Sequence, residues 1–244
     1  MINQWLNTIH QGDCLELMEQ LPDGCVDMIL CDLPYGTTQN PWDSVLPFEE
    51  LWRSYKRIAK PNAAIVLTAS QPFTTHLIMS NLEMFKYELI WEKTKSTGFL
   101  DSSYRPLRSH ENILVFYREK PTFNPQKTKG EGYVRGKTKR PKSSWGDQKE
   151  SWGENVSGDR HPRSVIKIAN PNNDSLHPTE KPIALFSYLI QAYTNLGDVV
   201  LDNCMGSGTT ARAAKNLGRN FIGMEISPEY CEVARKRLEQ EVLL

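Results

Sequence analysis

Asp32-Leu33-Pro34-Tyr35 places a carboxylate, a proline-stiffened backbone with a free carbonyl at Leu33, and an aromatic ring within four residues. Together these groups can accept both N–H bonds of a planar amine while stacking on the ring that bears it. A second constellation lies near the C-terminus. Asp202-Asn203-Cys204-Met205-Gly206-Ser207-Gly208-Thr209-Thr210 is a glycine loop opening on an acid, and Glu225 follows Gly208 by 17 residues. The glycines let the backbone approach a ligand closely, and a helix N-terminus beyond them favours an anionic group. Glu225 is spaced to accept hydrogen bonds from two ribose hydroxyls. Such a loop also serves nicotinamide cofactors, but Ala211 stands where their third glycine would be.

These residues need a frame. Met28-Ile29-Leu30-Cys31 is a continuous apolar run, as in a strand buried on both faces of a parallel sheet, so residues 32–35 fall at its carboxyl end. Val199 to Asp202 and Phe221 to Glu225 read as two more buried strands, with a helix over Ala211 to Leu217 that Gly218 terminates. Thr8 to Asp13 reads as a strand ending in Gly-Asp, followed by a helix over Cys14 to Met18. Phe48 to Ala59 has helical spacing, with Leu51, Trp52, Tyr55 and Ile58 on one face. Ala63 to Thr68, Phe85 to Trp91 and Asn112 to Tyr117 read as strands, and Pro182 to Tyr193 as a helix with proline in its first turn.

Residues 32–35 resemble the Asp/Asn/Ser-Pro-Pro-Tyr motif of the DNA amino-methyltransferases, with Leu33 at the first proline. Residues 202–210 resemble the Asp-Pro-Phe-x-Gly-Ser-Gly-Thr-Thr form of the same family, with Asn203 and Cys204 replacing Pro and Phe. The amine motif precedes the glycine loop, the order of the beta group. The likeness extends to Asp13 in a Gly-Asp segment, to Arg105 through Glu111, and to His177 through Pro182. It implies an α/β, Rossmann-like sheet, circularly permuted, with a target-recognition insert. It implies S-adenosylmethionine as cofactor, held by Asp13, Asp202, Cys204, Gly206, Ser207, Gly208, Thr209 and Glu225. Asp32, Leu33, Pro34 and Tyr35 then form the catalytic motif. Aspartate at its first position leans toward adenine N6, serine being typical of cytosine N4. Asp13 reads equally as a helix N-cap, and Thr179 and Glu180 as a cap for the next helix or a cofactor contact. Cytosine N4, a catalytically silent DNA-binding regulator, and an RNA or protein amine methyltransferase are the alternatives.

Length suits one core with an insert. The five cysteines show neither a Cys-x-x-Cys nor a paired spacing, so no zinc site or disulfide framework is expected, and the chain reads as a cytoplasmic protein without a membrane segment. Zero net charge conceals an asymmetry. Residues 118–167 hold 13 Lys and Arg against 6 Asp and Glu, the remainder 16 against 23. This basic stretch divides the chain into 1–117 with the amine motif, 118–167, and 168–244 with the cofactor loop. It has no sustained helical or strand period. Lys137, Lys139, Arg140 and Lys142 are its candidate phosphate contacts, and Trp145 and Trp152 its candidates for wedging or stacking on duplex DNA. The resemblance leaves room for a cognate restriction endonuclease and for a homodimer.

Overall fold

The computed structural model describes residues 2–37, 43–138, 151–171 and 180–239, with only the backbone of 135–138 and 151–153. In chain order the elements are β1 (Thr8–Gln11), α1 (Cys14–Glu19), β2 (Val26–Cys31), α2 (Phe48–Ile58), β3 (Ala59–Ala69), α3 (Phe73–Ser80), β4 (Phe85–Thr97) and β5 (Arg108–Phe116). Four short strands follow: β6 (Thr128–Lys129), β7 (Tyr133–Thr138), β8 (Ser151–Asn155) and β9 (Asp159–Arg160). The chain closes with β10 (Val165–Ile168), α4 (Ile183–Tyr193), β11 (Val199–Asp202), α5 (Thr209–Asn216), β12 (Asn220–Glu225) and α6 (Pro228–Glu239).

Two compact units result, one of Met1–Asn124 with Ser164–Leu244, the other of Pro125–Arg163. The larger unit is built on an eight-stranded sheet in the order β1-β12-β11-β2-β3-β5-β4-β10. Every neighbouring pair is parallel except those that β5 makes with β3 and β4, so β5 alone runs against the rest. The apolar runs foreseen from the sequence are its central strands, and alternate residues feed opposite faces. Ile29 and Cys31 join Ile65 and Leu67 beneath α1 and α2, while Met28 and Leu30 join Ala64 and Val66 beneath α4 and α5. All eight are essentially inaccessible to water. Each buried aliphatic side chain contributes about 1.5–3 kcal/mol.

α2 packs the face expected of it: Leu51, Trp52, Tyr55 and Ile58 are buried, with Glu49 and Glu50 in the first turn and Lys56 and Arg57 in the last, matching the helix dipole. Gly218 ends α5 at φ 68°, where its N–H bonds the carbonyl of Lys215. Two helices, α3 and α6, had no counterpart in the sequence reading. β4 runs six residues further than expected, to Thr97, because it continues to pair with β5 and β10 beyond Trp91.

The smaller unit departs from the expectation of irregular chain. β7 pairs with β8 and β6 with β9, both antiparallel. These strands are too short and too polar to announce themselves by alternation; main-chain pairing holds them, with Arg160 over the ring of Tyr133 at 5.0 Å. The charge-defined stretch 118–167 is also wider than this unit: Arg118 donates to the carbonyl of Ala59, and β10 belongs to the main sheet. No helix among the described residues is long and apolar enough to cross a membrane.

Candidate active site

β11 and β2 lie side by side. From β11 the chain crosses to β12 on one side, and from β2 to β3 on the other. Such a reversal of strand order leaves a crevice beyond the carboxyl ends of the two strands, the usual ligand site of an open α/β sheet. Four acids crown this edge on four adjacent strands: Asp13 just after β1, Glu225 ending β12, Asp202 ending β11, and Asp32 just after β2. They line a cavity of about 410 Å³, together with Leu33, Pro34, Tyr35, Lys181 and the glycine loop. That volume suits a small-molecule ligand.

The glycine-loop half is braced by main-chain bonds. Gly206 N–H donates to Glu225 Oε2 at 2.9 Å and Ser227 N–H to Oε1 at 2.8 Å, which fixes the carboxylate at the cavity wall. Gly208, at φ 82°, passes so near α6 that a Cβ there would lie 2.9 Å from the Cβ of Ala234. Its carbonyl starts α5 by accepting from Arg212 N–H, and no side chain caps that helix. Arg237 of α6 grips the loop from behind. It donates to the carbonyl and hydroxyl of Ser207 and the hydroxyl of Thr209, and pairs with Glu180 at 2.6 Å. Glu180 therefore braces the loop and does not cap α4, whose N-cap Pro182 has no side-chain bond; Thr179 lies outside the described residues.

Asp202 accepts from the Thr210 hydroxyl and, at 3.1 Å, from Cys204 N–H. Burial nevertheless pushes its carboxyl up to about 7, the hydrogen bonds opposing only part of the shift. Asp13 does cap α1, accepting from Leu15 N–H at 2.7 Å and Glu16 N–H at 3.4 Å, and it also lines the cavity. Asn203 is tied to α2 through the Tyr55 hydroxyl, at 2.6 Å. Its amide nitrogen lies 3.6 Å from Cys14 Sγ and 3.5 Å from Cys204 Sγ, so the cysteines pack under the loop as free thiols.

On the β2 side, Asp32 is the centre of a polar cluster. Its Oδ1 accepts from the hydroxyls of Tyr35, at 2.7 Å, and of Thr68. Its Oδ2 accepts from Lys181 Nζ at 2.5 Å. The Lys181 side chain, 7 % exposed, also stands 3.5 Å from Glu111 Oε2, and Glu111 pairs with Lys93. Burial pulls the Lys181 ammonium down, but Asp32 and Glu111 together outweigh it and hold the group above the ordinary lysine value. Phe73 stacks on the Tyr35 ring at 5.0 Å, and burial raises the Tyr35 phenol well above its usual range. Asp43 accepts from Gly36 and Thr37 N–H and so steadies the turn after Tyr35.

A profile described as DNA methylase, of the N6/N4 methyltransferase type, matches residues 26–236. The chain belongs to the DNA amino-methyltransferases of the beta group. It is 30 % identical to the type II methyltransferase M.HinfI of Haemophilus influenzae over 98 % of this chain and 70 % of that one. It is 29 % identical to M1.MboII of Moraxella bovis, over 96 % and 97 %. Among solved structures, M1.HpyAVI in complex with S-adenosylmethionine superposes with a TM-score of 0.65 at 28 % identity, covering 96 % of this chain and 99 % of that one. The cytosine-N4-specific PvuII methyltransferase shares the fold, with a TM-score of 0.65 at 16 % identity, covering 97 % and 87 %.

For this methyltransferase the cavity residues fit a methyl donor of the nucleoside type. A carboxylate fixed by two N–H bonds still has lone pairs for ribose hydroxyls, the uncapped α5 terminus suits the donor's carboxylate, and Gly208 leaves backbone where any Cβ would clash. The fold brings Asp13, Asp32, Leu33, Pro34, Tyr35, Asp202, Cys204, Gly206, Ser207, Thr209 and Glu225 to one cavity, with Gly208 starting the adjoining helix. Of the DNA-contact candidates, Lys137 lies on β7 and Trp152 on β8, while Lys139, Arg140, Lys142 and Trp145 fall outside the described residues. The sequence reading passed over Thr68, Lys181, Lys93 and Arg237. Only Lys181 carried a signal, standing in the Thr-Glu-Lys-Pro segment already noted before α4.

Proposed function

We propose that this chain transfers the methyl group of S-adenosylmethionine to the exocyclic N6 of adenine in duplex DNA. The observation that carries this reading is the meeting of Asp32 and the glycine loop in one cavity at the sheet's reversal point. Aspartate, where serine would point to cytosine N4, supports adenine as the base. When bound, S-adenosylmethionine supplies a methyl group on a sulfonium sulfur, which keeps the C–S electron pair as the amine nitrogen's lone pair makes the new bond. Asp32 and the Leu33 carbonyl accept the two N–H bonds of the amine. That draws the nitrogen out of conjugation with the ring and aims its lone pair at the donor. Positive charge grows on nitrogen in the transition state, and the Asp32 carboxylate stabilises it before one proton departs. Tyr35 stacks on the base, which reaches the cavity only by leaving the duplex.

The test is direct. Unmethylated plasmid DNA is incubated with the protein and tritiated S-adenosylmethionine, digested to nucleosides and analysed by mass spectrometry. N6-methyldeoxyadenosine is expected. Label in N4-methyldeoxycytidine reassigns the base, and absence of label with folded protein overturns the activity.

A further inference from the structure

Lys181 makes both contacts that the target base is expected to make. Its Nζ donates to Asp32 Oδ2 at 2.5 Å, the bond sought by the amine, and lies 5.6 Å from the centroid of the Tyr35 ring. Phe73 is already stacked on that ring, so the space left over it is shared between Lys181 and any incoming base. Asp32 Oδ1 is committed to Tyr35 and Thr68, which leaves Oδ2 as the oxygen for an amine. The lysine lines the same cavity as Asp32.

We propose that Lys181 is a positioning residue that occupies the amine's seat in the base-free enzyme and shifts to Glu111 when the base enters. This rests on Asp32 receiving the target amine. Glu111 is near enough to take the ammonium: its Oε2 is 3.5 Å from Nζ, is buried, and makes no hydrogen bond among the described residues, although its other oxygen is paired with Lys93. Two lysines and two carboxylates make the cluster neutral, so no net charge is buried in either arrangement. Before the base arrives, the Lys181 ammonium lies directly against the Asp32 carboxylate and offsets its charge. After the shift, Asp32 is the anion without a direct cationic partner, facing the nitrogen on which positive charge grows.

The experiment combines Glu111→Gln, Lys181→Met and their double variant, assayed for single-turnover transfer to plasmid DNA, with calorimetry for S-adenosylmethionine and thermal melting as controls. Glu111→Gln removes the second seat and should slow transfer by at least about tenfold, as expected when a charged partner is lost, while cofactor affinity stays within about twofold. In the Lys181→Met background the same substitution should change the rate by less than about twofold, because no ammonium remains to be moved. Equal losses in both backgrounds, or none in either, overturn the proposal. Should Lys181→Met be inactive or unfolded, Lys181→Arg decides. A planar guanidinium is bulkier than an ammonium and would bridge Asp32 Oδ2 and Glu111 without vacating the first, so transfer should fall at least about tenfold with melting unchanged. Wild-type activity in Lys181→Arg shows a merely structural charge and sinks the idea. Asp32→Asn tests the underlying reading separately: if it transfers at the wild-type rate, Asp32 is not the amine's acceptor, whatever the lysine variants do.

Discussion

Asp32, Glu225 and Asp202 share an edge of the sheet but have different surroundings, and each surrounding implies a different response to substitution. Asp32 lines the cavity, and on the proposed mechanism Asp32→Ala should reduce methyl transfer by about 10²–10³-fold, the effect of deleting one group that stabilises transition-state charge. Cofactor affinity measured by calorimetry should stay near wild type; a parallel collapse of both would place Asp32 in cofactor binding. Glu225 is held at the cavity wall by Gly206 and Ser227 N–H groups, and on the proposed reading it binds the methyl donor. Glu225→Ala should weaken S-adenosylmethionine binding by about 1–3 kcal/mol. Unchanged affinity in a folded variant removes Glu225 from the site. Asp202 is the buried member, with its carboxyl pushed up to about 7 from 3.8. A raised carboxyl means that the folded state holds the proton more tightly than the unfolded chain. Its stabilising contribution is therefore fully present below about pH 4 and is lost as pH rises through about 7. Asp202→Asn should flatten that part of the stability profile, an effect of a few kcal/mol at most, roughly. Urea denaturation of both proteins at pH 5 and 8 reads the difference; parallel profiles would mean that Asp202 is ionised throughout.

Among the elements, the turn from β11 into α5 is the most constrained. Gly208 has a left-handed backbone and its missing Cβ is where Ala234 of α6 sits, 2.9 Å from the ideal position. Gly208→Ala combines an unfavourable φ with that clash, so it should cost about 2–4 kcal/mol of stability. Cofactor affinity should fall with it, since α5 and the loop cannot both hold their places. A variant that melts like the wild type would show that α6 yields at Ala234. β11 and β12 were legible because each is a continuous apolar run between polar residues. α6 was not, because its buried residues, Cys231, Ala234 and Arg237, are not a recognisable apolar face. Arg237 is buried for its four acceptors, a role that emerges only when Ser207, Thr209 and Glu180 meet it.

In the molecule as a whole, the basic stretch 118–167 is balanced by a net acidic remainder of the chain. If that stretch contacts DNA, replacing Lys137, Lys139, Arg140 and Lys142 with serine should weaken duplex binding at every sequence and lower the salt slope by about one for each lost phosphate contact. Cofactor affinity should not change. Salt titrations of wild type and the fourfold variant make the comparison, and identical slopes would leave the surplus charge as a solvated surface.

Local pattern was enough to place Asp32, Asp202, Gly206, Gly208 and Glu225 at the ends of buried strands, because a run of apolar residues and the polar residues that stop it are neighbours in the chain. Their order along the chain, through its resemblance to the beta group, implied a permuted sheet. The partners of Asp32 were another matter. Thr68 and Lys181, together with the Glu111 that Lys181 approaches, are separated from it by 36 to 149 residues. They meet because β3 pairs beside β2, β5 runs against β3, and the chain leading into α4 passes over the same edge. A lysine in a polar segment reads as solvated until the sheet buries it between two carboxylates. Pairing of that kind is a property of strand order and burial, which tertiary structure alone decides.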